Sequence, residues 1–471
     1  MNLKIIDNLG DFSFVIITTF VTFFLWYLSL GHQFVTQPYV WDDLHHIRAY
    51  STDELINSWV DNWDYSGVET PSYRPVALIF YHLIGSFFGE NYLFLRIFVF
   101  SLMIVLILQF NFLLLKLNFK RSHILIFSFL IVFTKIFSTL LAWFTISALI
   151  YCYILTLISI SLFIDWVDKK NNNLLFLSLI FAFLAIFTRE ELYILPGIIF
   201  LILIFKQKDY FKNFISNLSI FFLFFSLVVI HILLRKYFVS EGAHFEISSW
   251  SVKFGGETLG FGYLIKALKS SWLPMGYWSV NNTYFLQTLT FFIWTTSIIS
   301  ALIISIKYNK IKRLTSLNSV VFLLTVFLLS LSNIVTGRAF GIFLPTLIVL
   351  LFVSVLTINL LKVKNDNSNI LLKTICNFLF LSIIISGIIG GYSRSTKHIQ
   401  TMNLYSYHIV MYDSIFIYGL KDKNLKIPKI RYESKRKHLQ NLNVLNMNDA
   451  INLSKNNNPK ILKTQYRPLS F

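Results

Sequence analysis

Charge is what this sequence has least of. Asp, Glu, Lys and Arg make up 14% of its 471 residues, while 55% are hydrophobic; a soluble fold carries roughly 25% charged residues. Cysteine is scarcer still. Cys152 and Cys376 both stand inside apolar runs, where a thiol behaves as a small buried hydrophobe, so neither a disulfide nor a cysteine-built metal site is expected. Acidic residues number 23 against 41 basic ones. That +18 imbalance is no nucleic-acid signal, because it is dispersed: from Tyr392 onward fourteen basic residues face four acidic ones, which puts +10 in the tail.

What fills the chain instead is hydrocarbon. Runs at 12–30, 93–115 and 215–234 hold few charges or none, and each approaches the roughly 20 apolar residues a helix needs to cross a bilayer. The first run follows Lys4, but it is long for a signal peptide, and no small-residue cleavage site follows at Gly31-His32-Gln33. An uncleaved first helix is expected.

The remaining basic residues sit in short connections: Lys120-Arg121, Lys169-Lys170, Lys206 to Lys212, Lys307 to Arg313, and Lys362 with Lys364. Short basic connections belong on the cytoplasmic side. All five fall there if residues 75–89 do not span. That segment has the length of an interfacial or re-entrant piece. The sequence therefore predicts an all-α polytopic membrane protein with about eleven spans. They lie near 12–31, 92–116, 123–138, 145–166, 173–188, 191–206, 215–235, 285–306, 317–335, 339–361 and 371–391. The membrane domain is 1–391, with large extracytoplasmic loops at 32–91 and 236–284. Residues 392–471 form a small basic appendage, also expected outside.

The first loop holds eight of the 23 acidic residues, interleaved with aromatics. Most suit a solvated loop. Asp42 and Asp43, after Trp41, differ in standing about ten residues past the first helix, where a carboxylate reaches both a lipid headgroup and a water-soluble partner. Tyr73-Arg74-Pro75 opens the interfacial segment, which also carries His82; Pro suits a first helical turn, and the Arg either snorkels or grips phosphate. Thr188-Arg189-Glu190-Glu191 forms a turn before Pro196. Three charges at membrane depth must be paired or functional, and both readings stand. Thr336-Gly337-Arg338 makes a similar turn. Lys266 lies on an amphipathic stretch at 259–277, which suits surface docking or a substrate contact. His45, His46 and His82 show no repeated ligand spacing, so a zinc site is not expected.

Trp41-Asp42-Asp43, Tyr73-Arg74-Pro75 running into Tyr81-His82-Leu83 and Phe88-Gly89, Thr188-Arg189-Glu190 with Pro196, and Thr336-Gly337-Arg338-Ala339-Phe340 with Leu344-Pro345 together resemble GT-C membrane glycosyltransferases. The similarity is to the protein O-mannosyltransferase-like branch and its bacterial relatives; Arg96 leans toward the aminoarabinose-transferase type. The resemblance covers about residues 12–360, and no tetratricopeptide array follows. It implies membrane-parallel helices in the first extracytoplasmic loop and an integral, multi-pass protein of the bacterial inner membrane. It also implies a polyprenyl-monophosphate-linked sugar as donor, used on the periplasmic face, with a hydroxyl of a lipid, glycan or protein as acceptor.

On that basis Asp43, or Asp42, is the expected general base of an inverting transfer. A free Asp titrates near ~3.9, and an adjacent Asp with partial desolvation would raise it toward a useful base. Arg74, Arg189, Arg338 and Lys266 are the expected donor-phosphate ligands. Trp41, Tyr73, His82, Glu190 and Glu191 are expected to bind or orient substrate. Paired acids can hold Mg²⁺ or Mn²⁺ but supply only part of an octahedral shell, so a divalent cation stays open and no metal ligands are assigned. A polysaccharide polymerase or ligase would use the same outward Arg residues without the acidic pair. A lipid-linked-sugar transporter would carry charges or breaks at mid-membrane depth.

Overall fold

The structure, a computed structural model, describes residues 10–34, 46–60, 73–88, 91–142, 144–206, 214–238, 285–307, 343–366 and 369–414, with short stretches between 436 and 453. Every regular element among the described residues is helical. Seven helices are long and apolar enough to cross a membrane, so the chain is an integral multi-pass membrane protein. They are α1 (Asp11–Ser29), α4 (Tyr92–Lys116), α7 (Ser147–Lys169), α10 (Phe214–Phe238), α11 (Phe285–Lys307), α12 (Phe343–Asp366) and α13 (Ile370–Ser414). Between them lie α2 (Thr52–Asn57), α3 (Pro75–Phe88), α5 (Arg121–Val132), α6 (Lys135–Ala142), α8 (Asn172–Thr188) and α9 (Leu195–Lys206).

Three boundaries differ from the sequence reading. The run expected near 123–138 is two helices, α5 and α6, bent by 57° and counting as an eighth span only if taken together. Thr134 makes the break: its hydroxyl accepts from Phe137 N–H at 3.2 Å, so a new helix is capped where the old one ends. The span expected at 173–188 is the 17-residue α8, whose bounds agree, whereas the one expected at 191–206 is the 12-residue α9, which starts only at Leu195. At 1.5 Å per residue they reach roughly 26 and 18 Å, short of a ~30 Å core, because the charges at Arg189–Glu191 interrupt the apolar run. The last helix runs through residue 391 to Ser414, past the expected edge of the membrane domain. The span expected at 317–335 lies outside the described residues.

The bundle has two chemically distinct ends. At one, Arg121 pairs with Asp11 at 2.7 Å, Lys116 pairs with Asp165 at 2.8 Å, and Lys170 lies over the Trp166 ring. Lys120 and Lys362 lie at this end too, lining one cavity with Arg121. At the other, α3 docks on the turn after α8: Arg74, just before α3, reaches Glu190. Helix α4 then starts near that same end and finishes at the basic end with Lys116. Helix α3 therefore begins and ends on one side, in accord with the charge parity.

Small and polar residues bring the helices together. Ser159 of α7 and Ser178 of α8 each donate to the other's carbonyl at 2.8 Å, the close packing that small residues allow in lipid. Asn111 of α4 donates to Thr19 of α1 and accepts from Ser128 of α5, at 3.0 and 2.9 Å, tying three helices through buried polar groups. Gly85 of α3 lets the backbone of Arg48 cross it; a Cβ there would stand 2.6 Å from Arg48 N.

Candidate functional site

The site end is built from fragments of the first loop laid over α7, α8 and α10. The stretch 51–57 folds as a short capped helix: Ser51 and Glu54 each accept from the other's backbone N–H, a capping box. Trp59 stacks on Phe183 and Phe187 of α8, with ring centroids 6.3 and 6.0 Å away. Tyr73 is fully buried, and its hydroxyl donates to the Trp59 carbonyl at 2.7 Å. Burial pushes its phenol up to about 12, so it stays a hydroxyl donor at any physiological pH. His46 stacks on Tyr81, whose hydroxyl donates to the Thr145 carbonyl at 2.6 Å. His82 Nδ1 accepts from Tyr50 N–H at 2.9 Å.

Glu54 also pairs with Arg48 at 2.9 Å. Partial burial pushes its carboxyl up, but the Arg48 hydrogen bonds and charge and the Ser51 N–H outweigh that and hold it below the ordinary carboxylate value of 4.5. Its stabilising contribution is thus complete above about pH 4.5 and drains away as pH falls below it. We expect corrected hydrogen-exchange protection of residues 46–60 to fall on acidification below that value. A Glu54→Gln variant should start with lower protection and show a flatter response; an unchanged response would show that the pair does not hold this segment.

Beneath these fragments lies a buried set of charges. Thr188 closes α8 by donating to the Leu184 carbonyl at 2.7 Å, Arg189 is extended, and Glu190–Ile194 makes one 3-10 turn. Pro196 follows in the first turn of α9, where a missing N–H costs little. Arg189 Nε and Nη2 donate side-on to Glu191, at 3.3 and 3.1 Å. Arg74 Nε and Nη2 both donate to Glu190 Oε2, at 2.8 and 2.6 Å. Arg74, Arg189 and Glu191 are 8%, 5% and 2% exposed. Two guanidiniums and two carboxylates are thus gathered from two distant parts of the chain. The charges of the 188–191 turn are paired. Among the described residues the Nη1 end of each guanidinium carries no hydrogen bond.

His231, in α10, was missed in the sequence. Its Nε2 lies 2.9 Å from the Tyr73 carbonyl and its Nδ1 2.7 Å from the Tyr193 hydroxyl. A carbonyl only accepts, so Nε2 carries the proton and Tyr193 donates to Nδ1. The signal was present: a histidine within the apolar run 217–238 is expensive in lipid and calls for a partner.

A narrow apolar cavity of about 90 Å³ runs between α4, α7, α9 and α12. Leu192, Leu195 and Tyr153 line it near the charged turn; Leu117 and Phe119 line it toward the basic end. It has room for a short stretch of hydrocarbon chain.

Asp42, Asp43 and Trp41, Lys266, and Arg338 lie outside the described residues. Of the expected site, the structure brings together Tyr73, Arg74, Arg189, Glu190 and Glu191, with His82 further along α3. Among the described residues no three His, Cys, Asp or Glu side chains converge as metal ligands. Comparison with protein families, with curated proteins and with solved structures found no match to the chain.

Proposed function

We propose that the chain is an inverting glycosyltransferase. It moves a sugar from a polyprenyl-monophosphate donor to a hydroxyl of a lipid, glycan or protein acceptor on the extracytoplasmic face. The observation that carries the reading is that Arg74 and Arg189 are both buried at the turn whose following residues, Leu192 and Leu195, line the apolar cavity. Buried cations next to an apolar cavity suit an amphiphile with an anionic head and a hydrocarbon tail.

In this reading the donor phosphate engages the Nη1 ends of the two guanidiniums. The phosphate is already charged, so the enzyme has to stabilise only the further negative charge that grows as the sugar leaves, and fixed cations in a dry site do this well. Glu190 and Glu191 hold the guanidiniums in place before the donor arrives, as supporting contacts do for a preorganised site. Arg338 would add a third cation. Asp43 stands three residues before His46 in sequence, so the two Cα atoms are at most ~11 Å apart, and the His46 ring stacks on Tyr81. As general base, the Asp43 carboxylate takes the proton of the acceptor hydroxyl while the acceptor oxygen bonds to the anomeric carbon and polyprenyl phosphate departs. A bound Mg²⁺ or Mn²⁺ stays compatible with the reading, and no step depends on one.

One observation favours a second reading. Both guanidiniums are already answered by carboxylates, as they would be in a lipid-binding protein without catalysis. Membranes containing the protein, supplied with radiolabelled polyprenyl-phosphate sugars, separate the two. Label should pass to an acceptor, and an Arg338→Ala variant should need more donor. Donor binding without transfer would establish the second reading, and full turnover by Arg338→Ala would remove that residue from the phosphate site.

A further inference from the structure

A second cavity lies at the opposite end from the charged turn. It measures about 630 Å³ and lies between the α4–α5 connection and the end of α12. Its rim holds Lys120, Arg121 and Lys362; among the described residues Asp11 is the one carboxylate that lines it, beside Asn118, Ser122 and Asn365. Its floor is apolar, from Leu115, Phe119, Ile358 and Leu361.

Three cations and one carboxylate among the described lining residues make this a basic surface, on which an anion is favoured. Arg121 is answered by Asp11, whose carboxylate is 68% exposed, so a second anion can share the guanidinium. Helix α5 starts at this rim, and its capping position, Lys120, offers no side-chain acceptor to the first-turn N–H groups. The positive end of the helix therefore adds to the cations rather than being satisfied by a cap. Behind the rim His123 is 2% exposed, and neither ring nitrogen has a hydrogen-bond partner.

We propose that this cavity binds a phosphate-bearing anion through Lys120, Arg121 and Lys362. The ligand is an anionic lipid headgroup or a soluble phosphate. The apolar floor favours the headgroup, because it gives the first carbons of an acyl chain a surface to lie on. Basic pockets between spanning helices on the cytoplasmic side are where such headgroups bind. The inference rests on the cavity alone and holds whatever chemistry the other end performs.

The test is titration of the purified full-length protein, in detergent, with phosphatidylglycerol, phosphatidylcholine or inorganic phosphate, read by native mass spectrometry. Wild type should retain phosphatidylglycerol in preference to phosphatidylcholine. Lys120→Gln should weaken it about fivefold and the Lys120→Gln/Lys362→Gln pair about twenty-fold, with melting temperature unchanged. Lys169, exposed at the same end but not part of the cavity, is the control, and Lys169→Gln should have no effect. Inorganic phosphate that displaces the lipid, or binds alone and is lost in the same pair, assigns the cavity to a soluble phosphate. Equal lipid binding by wild type and the pair, or an equal loss in Lys169→Gln, overturns the proposal.

Discussion

Replacing Asp43 by Asn is expected to abolish sugar transfer while leaving the protein folded and inserted. The amide keeps the size and hydrogen-bonding reach of the carboxylate but cannot take a proton. Loss of a positioned general base costs roughly 10²- to 10⁴-fold in rate. The measurement is label transferred per minute in membranes matched for protein content, with melting temperature as the control for folding. Asp42→Asn is the paired experiment, since the two carboxylates are adjacent in sequence. If Asp42→Asn abolishes transfer and Asp43→Asn does not, the base is Asp42. If both variants retain full rate, neither is a base, and the transferase reading loses its proton acceptor.

The second large effect is on stability. Glu191→Ala should destabilise the protein by ~3–5 kcal/mol, because it strands the Arg189 guanidinium in a site that is almost dry. Arg189→Ala should cost about as much by stranding Glu191. Removing both, as Arg189→Leu with Glu191→Leu, should recover most of the loss, since an apolar pair of similar volume needs no solvation. Denaturant midpoints in detergent, compared across this cycle, give the coupling directly. Asp11→Ala at the basic end is the contrast: that pair is solvated, and its loss should cost at most ~1 kcal/mol. If Glu191→Ala were as mild as Asp11→Ala, water would have to reach the turn freely.

The sequence made the long helices legible because membrane insertion depends on composition alone. The apolar runs at 12–31, 92–116, 145–166, 215–235, 285–306, 339–361 and 371–391 each correspond to a helix long enough to span. The α3 segment was legible as a short apolar helix of its own, Pro75–Phe88. The break at Thr134 was not. A threonine in an apolar run reads equally well as a helical residue, and only the packed structure shows its hydroxyl capping a new helix. Arg189 and Glu191 could be paired from spacing, but Arg74 and Glu190 could not. Nothing local links residues 116 positions apart, and two candidate carboxylates stood side by side. His231 was visible as a costly residue in lipid, yet its partners come from two other parts of the chain.

That 116-residue separation also sets a timetable for assembly. At the ribosome's pace of ~5–20 residues per second, the chain between Arg74 and Glu190 takes roughly 6 to 23 s to make. Throughout that interval α3 has emerged without the turn it clamps to, and its apolar face and guanidinium need a temporary host. The insertion machinery, a chaperone on the far side or the bilayer surface itself must hold this segment until α8 arrives. The Arg74–Glu190 pair therefore forms only after α8 has been made, and it cannot hold the first loop any earlier in synthesis.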